Sequence, residues 1–277
     1  MALLFRLLSH LPLRALHALG AITGMLVNAL SARNRGRAQD NLARAGLASA
    51  LSSRQVMAEA GRGLFELPWL WMRPQPEVIA KVVAVSGWDL VEQAWRREKG
   101  ILFLTPHLGC FEITAQYYAA HRPMTVLYRR PKQAWLQAVV EQGRGANLRL
   151  AAADVSGVRA LLRALRAGEA VGMLPDQVPG NGEGVWVPFF GRPAYTMTLA
   201  ARLATTGATP LLAYAERLPR GAGYHLRLFP LTQALDRSLE ENAATINAAL
   251  ETLIRQCPQQ YAWNYNRYKV PSGATPP

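Results

Sequence analysis

Hydrophobic positions along the chain fall into short, continuously apolar runs separated by longer stretches of helical periodicity. The run Ile101-Leu102-Phe103-Leu104 is apolar at every position and is followed by Thr105-Pro106. Four consecutive buried positions predict a strand inside a parallel sheet, covered on both faces. Pro106 ends it, Gly109 loosens the turn, and a helix is predicted over 111–120. The same alternation recurs downstream. Strands are predicted over 82–85, 124–128, 148–151 and 170–174, with helices over 88–98, 133–144 and 158–167 between them. Beyond these, 185–190 reads as a strand and 194–206 as a helix. Strands at 209–215 and 224–229 read as antiparallel, and 239–256 reads as a long amphipathic helix. The pattern predicts an α/β fold: a mixed, largely parallel central sheet flanked by helices, with an N-terminal membrane-associated helical segment.

The first thirty residues break that pattern, being apolar with few interruptions. The stretch 11–30 has about the 20 residues that a bilayer span needs, but Arg14 and His17 near its start are costly inside hydrocarbon. A spanning anchor and a helix lying in the interface both remain open, and a buried core helix is the third reading. Arg33, Arg35, Arg37 and Arg44 follow; they would hold the downstream chain on the cytoplasmic side or bind an interfacial helix to anionic lipid. Helices are predicted over 35–45 and over 52–72, the latter capped by Ser52 or Ser53. The resulting division is 1–32 as anchor or interfacial helix, 33–80 as a helical linker, 81–270 as the α/β domain and 271–277 as a tail.

Charge narrows the partners. The chain of 277 residues has 31 basic and 18 acidic residues, a formal net charge of +13, with hydrophobic residues at 50%. Only Lys81, Lys99, Lys132 and Lys269 are lysines; the other basic residues are arginines, which suit bidentate phosphate recognition. An anionic partner is implied. No zinc finger, helix-turn-helix or RNA-recognition signature occurs, so nucleic acid is not the expected one. Cys110 and Cys257 do not form a disulfide framework. The loop 179–184 lacks the P-loop lysine and the dinucleotide fingerprint, which argues against a nucleotide there. Thr196 and Thr198, at the start of the helix expected over 194–206, could offer N–H groups to a phosphate or oxyanion, or simply cap it.

The candidate chemistry sits where the strand 101–104 ends. His107 lies at the carboxyl end of a central strand, where open α/β sheets put their ligands. Glu112, five positions on, falls in the first turn of the next helix, where its carboxylate can reach back to one ring nitrogen. An imidazole held so is a general base for a hydroxyl. The spacing alone equally fits a hydrogen-bonded strand-end histidine. His10, His17, His121 and His225 are scattered, which gives no metal-ligand spacing. No G-x-S-x-G elbow supplies a hydrolase nucleophile.

Taken together, the N-terminal helix, RGRAQDNL (35–42), TPHLGCFE (105–112), LYRRPK (127–132), LPDQVPGNGEGVWVPFFGRPA (174–194) and CPQQYAWNYNRYK (257–269) resemble the lipid A biosynthesis acyltransferases of lauroyl/myristoyl type. These belong to the wider lysophospholipid-acyltransferase-like superfamily. The resemblance covers nearly the whole chain; one departure is Cys110-Phe111, where many members carry Asn-Trp. It implies a bacterial inner-membrane enzyme with its catalytic domain on the cytoplasmic side, acting without a cofactor or metal. His107 and Glu112 fall on the family's H-x-x-x-x-[DE] catalytic dyad, Arg144 on its active-site arginine and Asp176 on its aspartate. Asp176 would orient Arg144 or bind acceptor. Gln177, Arg129 and Arg130 are further candidates for substrate contact. The implied donor is acyl-acyl carrier protein and the implied acceptor a hydroxyl of a lipid A precursor on an anionic membrane surface. Two competing readings share the residues: a glycerolipid or other lysolipid acyltransferase, and a non-catalytic protein binding anionic lipid.

Overall fold

The computed structural model describes residues 2–131, 133–142 and 147–277. Arg144, one of the expected substrate contacts, lies outside the described residues. The chain opens with α1 (Ala2–Ser9), α2 (Leu13–Leu30), α3 (Ala32–Arg44), α4 (Ser53–Met72) and α5 (Gln75–Ile79). The body then runs β1 (Val82–Ser86), α6 (Trp88–Arg97), β2 (Ile101–Leu104), α7 (Phe111–Ala119), β3 (Met124–Tyr128), α8 (Ala134–Gln142), β4 (Leu148–Ala152), α9 (Val155–Arg166) and β5 (Ala170–Met173). It closes with β6 (Gly184–Phe189), β7 (Arg192–Met197), α10 (Leu199–Ala204), β8 (Thr209–Arg217), β9 (Tyr224–Pro230) and α11 (Leu239–Ile254).

One seven-stranded sheet carries the order β1-β9-β8-β2-β5-β3-β4. From β8 to β4 the strands are parallel; β9 runs antiparallel to β8 and takes β1 parallel to itself. The central strands β2 and β5 are buried at every residue. Their side chains alternate between two cores, as the period of two demands. Leu102 and Leu104 pack with Val171 and Met173 against Leu161, Leu250 and Ile254. Ile101 and Phe103 point the other way, toward Val91, Ile113, Tyr118 and Leu70.

Two expectations change. The apolar N-terminus is two helices, because Pro12 stands at the start of α2; Arg73 from the end of α4 caps the preceding turn through the carbonyls of Ser9 and His10 (2.9 and 3.0 Å). α2 buries Leu13, Leu16, His17, Gly20, Ala21 and Gly24, a stripe at helical spacing. Gly20 and Gly24 lie against the backbone of α4 at Gly61 and Met57. The opposite face, with Leu19, Ile22 and Leu26, is exposed.

The second correction is the start of the helix expected over 194–206, which is helical only as α10 after the Thr198 N-cap. Residues 192–197 are instead a strand, paired antiparallel with β6 in its own two-stranded sheet. Phe190 and Gly191 both have positive φ (47° and 72°) between the paired Phe189 and Arg192, the two-residue turn that folds a hairpin back on itself. Thr196 is therefore no helix start. Its hydroxyl donates to Ala194 O (3.0 Å) and receives Arg267 Nη2 (2.6 Å) and Asn247 Nδ2 (3.0 Å). Thr198 donates to Glu183 O (3.2 Å).

Candidate active site

Neighbouring strands β2 and β5 end in register, with Leu104 beside Met173. Three residues past each end stand His107 and Asp176, at the carboxyl edge of the sheet. Strand pairing thus does what no local sequence pattern could: it brings together two side chains 69 residues apart. Asp176 accepts the His107 backbone N–H at Oδ2 (2.8 Å) and meets ring Nδ1 at Oδ1 (2.7 Å). The carboxylate is 2% exposed and the imidazole 20%, so the acid is sealed while the base keeps one open side. Burial pushes the Asp176 pKa up; the His107 charge and hydrogen bonds outweigh it and hold the group below the usual carboxylate value.

With Nδ1–H given to Asp176, Nε2 carries the lone pair. The Gln177 amide nitrogen lies 3.0 Å from it, and the Phe111 ring lies 4.9 Å from the imidazole. An imidazole with Nδ1 on a buried carboxylate and, among the described residues, a side-chain amide at Nε2 can take a proton there when its neutral form is present.

The carboxylate on the ring is thus Asp176, where the spacing suggested Glu112. Glu112 does sit in the first turn of α7, but its Oε2 accepts from Trp71 Nε1 of α4 at 3.0 Å. Phe5 of α1 stacks on Trp71 (6.0 Å between centroids), and Trp135 of α8 meets Phe5 edge-on (5.8 Å). Arg129 and Arg130 are exposed just past β3, on the same edge of the sheet as His107.

The loop carrying His107 is held by backbone groups at nearly every position. Thr105 N donates to Met173 O (3.1 Å) and Cys110 N to Ala215 O (2.8 Å). The C-terminal segment supplies the rest: Ala262 N donates to His107 O (3.1 Å), and Gly109 N to Gln260 O (3.1 Å). Tyr261 lies buried against Asp176, and burial together with that charge pushes its phenol well up, so it stays protonated. The 257–269 block entered the sequence reading only as a resemblance; in the fold it clamps the loop that carries His107.

A second polar cluster lies behind this loop. Glu66 of α4 accepts from Arg217 Nε (2.9 Å) and Nη2 (2.6 Å) and from the Tyr224 hydroxyl (2.9 Å), and meets His17 Nε2 of α2 at 3.0 Å. Of these the sequence singled out only His17, as a polar break in the apolar N-terminus, and gave it no partner. The available signal was a lone acid inside the apolar run LFELPWLWM and a lone histidine inside LRALHALG.

A family model described as "Bacterial lipid A biosynthesis acyltransferase" matches residues 1–270. Among curated relatives, the lipid A biosynthesis lauroyltransferase of Escherichia coli (strain K12) is 29% identical over 217 residues, 76% of this chain and 69% of that protein. The lipid A biosynthesis palmitoleoyltransferase of the same strain is 26% identical over 270 residues, 94% of this chain and 87% of that protein.

Proposed function

We propose that this chain, which belongs to the bacterial lipid A biosynthesis acyltransferase family, moves a fatty acyl chain from acyl-acyl carrier protein to a hydroxyl of a lipid A precursor. That it is an acyltransferase of lipid A biosynthesis follows from the family; the donor, the roles of the residues and the topology are our reading. The observation that supports it most is the His107 imidazole, with Nδ1 on buried Asp176 and Nε2 facing the open edge of the sheet.

In the reaction we envisage, the acceptor hydroxyl displaces the Gln177 amide from Nε2. His107 takes its proton as the oxygen attacks the thioester carbonyl, and Asp176 stabilises the imidazolium. Collapse of the tetrahedral adduct expels the thiolate, which receives the proton back from His107. No covalent enzyme intermediate is needed. Glu112, in the first turn of α7 and bonded to Trp71, is assigned to the wall of the same site. Arg144 is assigned to the oxyanion or to lipid A phosphate, and Arg129 and Arg130 to phosphate or to the acidic carrier protein.

The membrane contact we assign is interfacial. Leu3, Leu7, Leu19, Ile22, Leu26 and Leu64 are exposed on α1, α2 and α4, and exposed Arg6, Arg14 and Arg54 lie on the same helices, with exposed Arg33 at the start of α3. α2 is long and apolar enough to cross a bilayer. Its glycine contacts with α4 and its buried His17 favour a helix that stays packed on the body, its outer face in the cytoplasmic leaflet of the inner membrane.

Mass spectrometry of lipid A tests this reading, from cells lacking the gene and from cells carrying wild type or His107→Ala. One secondary acyl chain should vanish with the gene, return with wild type and not return with the variant. Unchanged lipid A, with an altered phospholipid pool, would move the acceptor to a glycerolipid.

A further inference from the structure

The buried cluster behind the catalytic loop is costly to build and takes no direct part in the proton transfer. Arg217 and Glu66 side chains are 3% and 2% exposed and His17 6%. Such a pair seldom stabilises a fold more than apolar residues of equal volume would. A fully bonded polar cluster does something apolar packing does not: it fixes groups at set distances and angles.

Its bonds lead to His107. Arg217 Nη1 reaches Glu59 Oε2 (3.1 Å), and Nη2, already on Glu66, also donates to Gly109 O (3.3 Å). The backbone of Arg217 exchanges two hydrogen bonds with the Gln260 side chain, both 2.9 Å, and Gln260 O accepts Gly109 N. Gly109 is therefore gripped at both its carbonyl and its N–H by one assembly. It stands two residues past His107 with φ of 62°, a conformation that other residues rarely adopt. Having no side chain, it can be anchored only through these backbone groups. At the far end of the cluster, His17 belongs to α2, the helix whose outer face carries Leu19, Ile22 and Leu26.

We propose that Arg217 is a positioning residue for His107, and that Glu66 and His17 extend this link to α2, so that the catalytic loop is in register only while α2 is seated. The link acts on geometry and not on proton transfer. It rests on the acyltransfer reading for its kinetic test alone.

The test uses full-length protein in mixed micelles, with an acyl carrier protein thioester and a lipid A precursor as substrates. Arg217→Lys keeps the charge opposite Glu66 but cannot fork onto Glu66 and Gly109 O together. The double variant Glu66→Leu/Arg217→Met removes both charges and leaves neither orphaned. Both are expected to fold and to lose about tenfold or more in kcat with KM within about twofold. His17→Leu should lose several-fold in kcat, and His17→Gln, which can still bond Glu66, should recover most of it. Wild-type kcat in folded Arg217→Lys, or a change confined to KM, would overturn the proposal; if the double variant does not fold, Arg217→Lys decides. A readout free of substrate accompanies this. The low-field ring-proton resonance of His107, assigned by its loss in His107→Ala, should shift or broaden in Arg217→Lys. An unmoved resonance would overturn the positioning role, whereas wild-type protein without acyl transfer would overturn only the functional reading.

Discussion

Among the described residues two histidine–carboxylate pairs stand out, and they differ in what they leave open. His107 and Asp176 meet at 2.7 Å, and His17 and Glu66 at 3.0 Å. In both pairs burial raises the carboxylate pKa and partners more than reverse it. They differ in what is left over. Around Glu66, the His17 ring, the Arg217 guanidinium and the Tyr224 hydroxyl complete a sealed set. Around Asp176, the imidazole reaches the sheet edge 20% exposed, its second nitrogen met by a side-chain amide that a substrate can replace. A finished hydrogen-bond set suits a strut, whereas an unfinished one suits the base we propose.

The sharpest way to break this comparison is to delete the base. His107→Ala should cost about 10²–10⁴ in kcat, the usual worth of general base catalysis. Its melting temperature should fall as well, because buried Asp176 loses the ring that bonds it, so kcat is read on the folded variant. Acid titration of the other pair comes next. Glu66 is held at about 2 against 4.5: burial raises it, and the Arg217 charge and hydrogen bonds, with those of His17, outweigh that. A depressed carboxylate stabilises the fold above its unfolded value and ceases to as pH falls through its folded value. Unfolding free energy should therefore drop between about pH 4.5 and about pH 2. Glu66→Gln should be about 3–5 kcal/mol less stable at neutral pH, with a flatter slope across that window, read by denaturant unfolding at several pH values. Smallest is Gln177→Ala, which removes one neutral hydrogen bond. Because the acceptor must displace this amide from Nε2, its KM should fall by about fivefold, with kcat within about threefold.

The sheet was legible because its signal is local. Four apolar residues at 101–104 and four at 170–173 announce buried parallel strands without help from the rest of the chain. The position of His107 followed, since a proline ends the strand just before it. The identity of its partner did not follow. Spacing along the chain favoured Glu112, because a contact five residues away needs no tertiary information. Asp176 reaches the ring only because β5 pairs with β2 in register, a non-local fact. The helix expected over 194–206 begins only at Leu199, and the misreading of 194–197 has the same cause. Ala194, Tyr195 and Thr196 suit either state, and it is the positive φ at Phe190 and Gly191 that turns the chain back as a strand. The Glu66 cluster draws on four elements, so the sequence showed only polar residues out of place in apolar helices.

The most direct test of the site is the kcat of Asp176→Asn, measured with acyl carrier protein thioester and a lipid A precursor, alongside its melting temperature. The amide keeps one acceptor for the His107 N–H but no longer fixes the ring tautomer or stabilises the imidazolium. A folded protein with kcat reduced by about 10²–10⁴ is expected. A folded Asp176→Asn that turns over at the wild-type rate would contradict the assignment of Asp176 as the carboxylate that makes His107 a base.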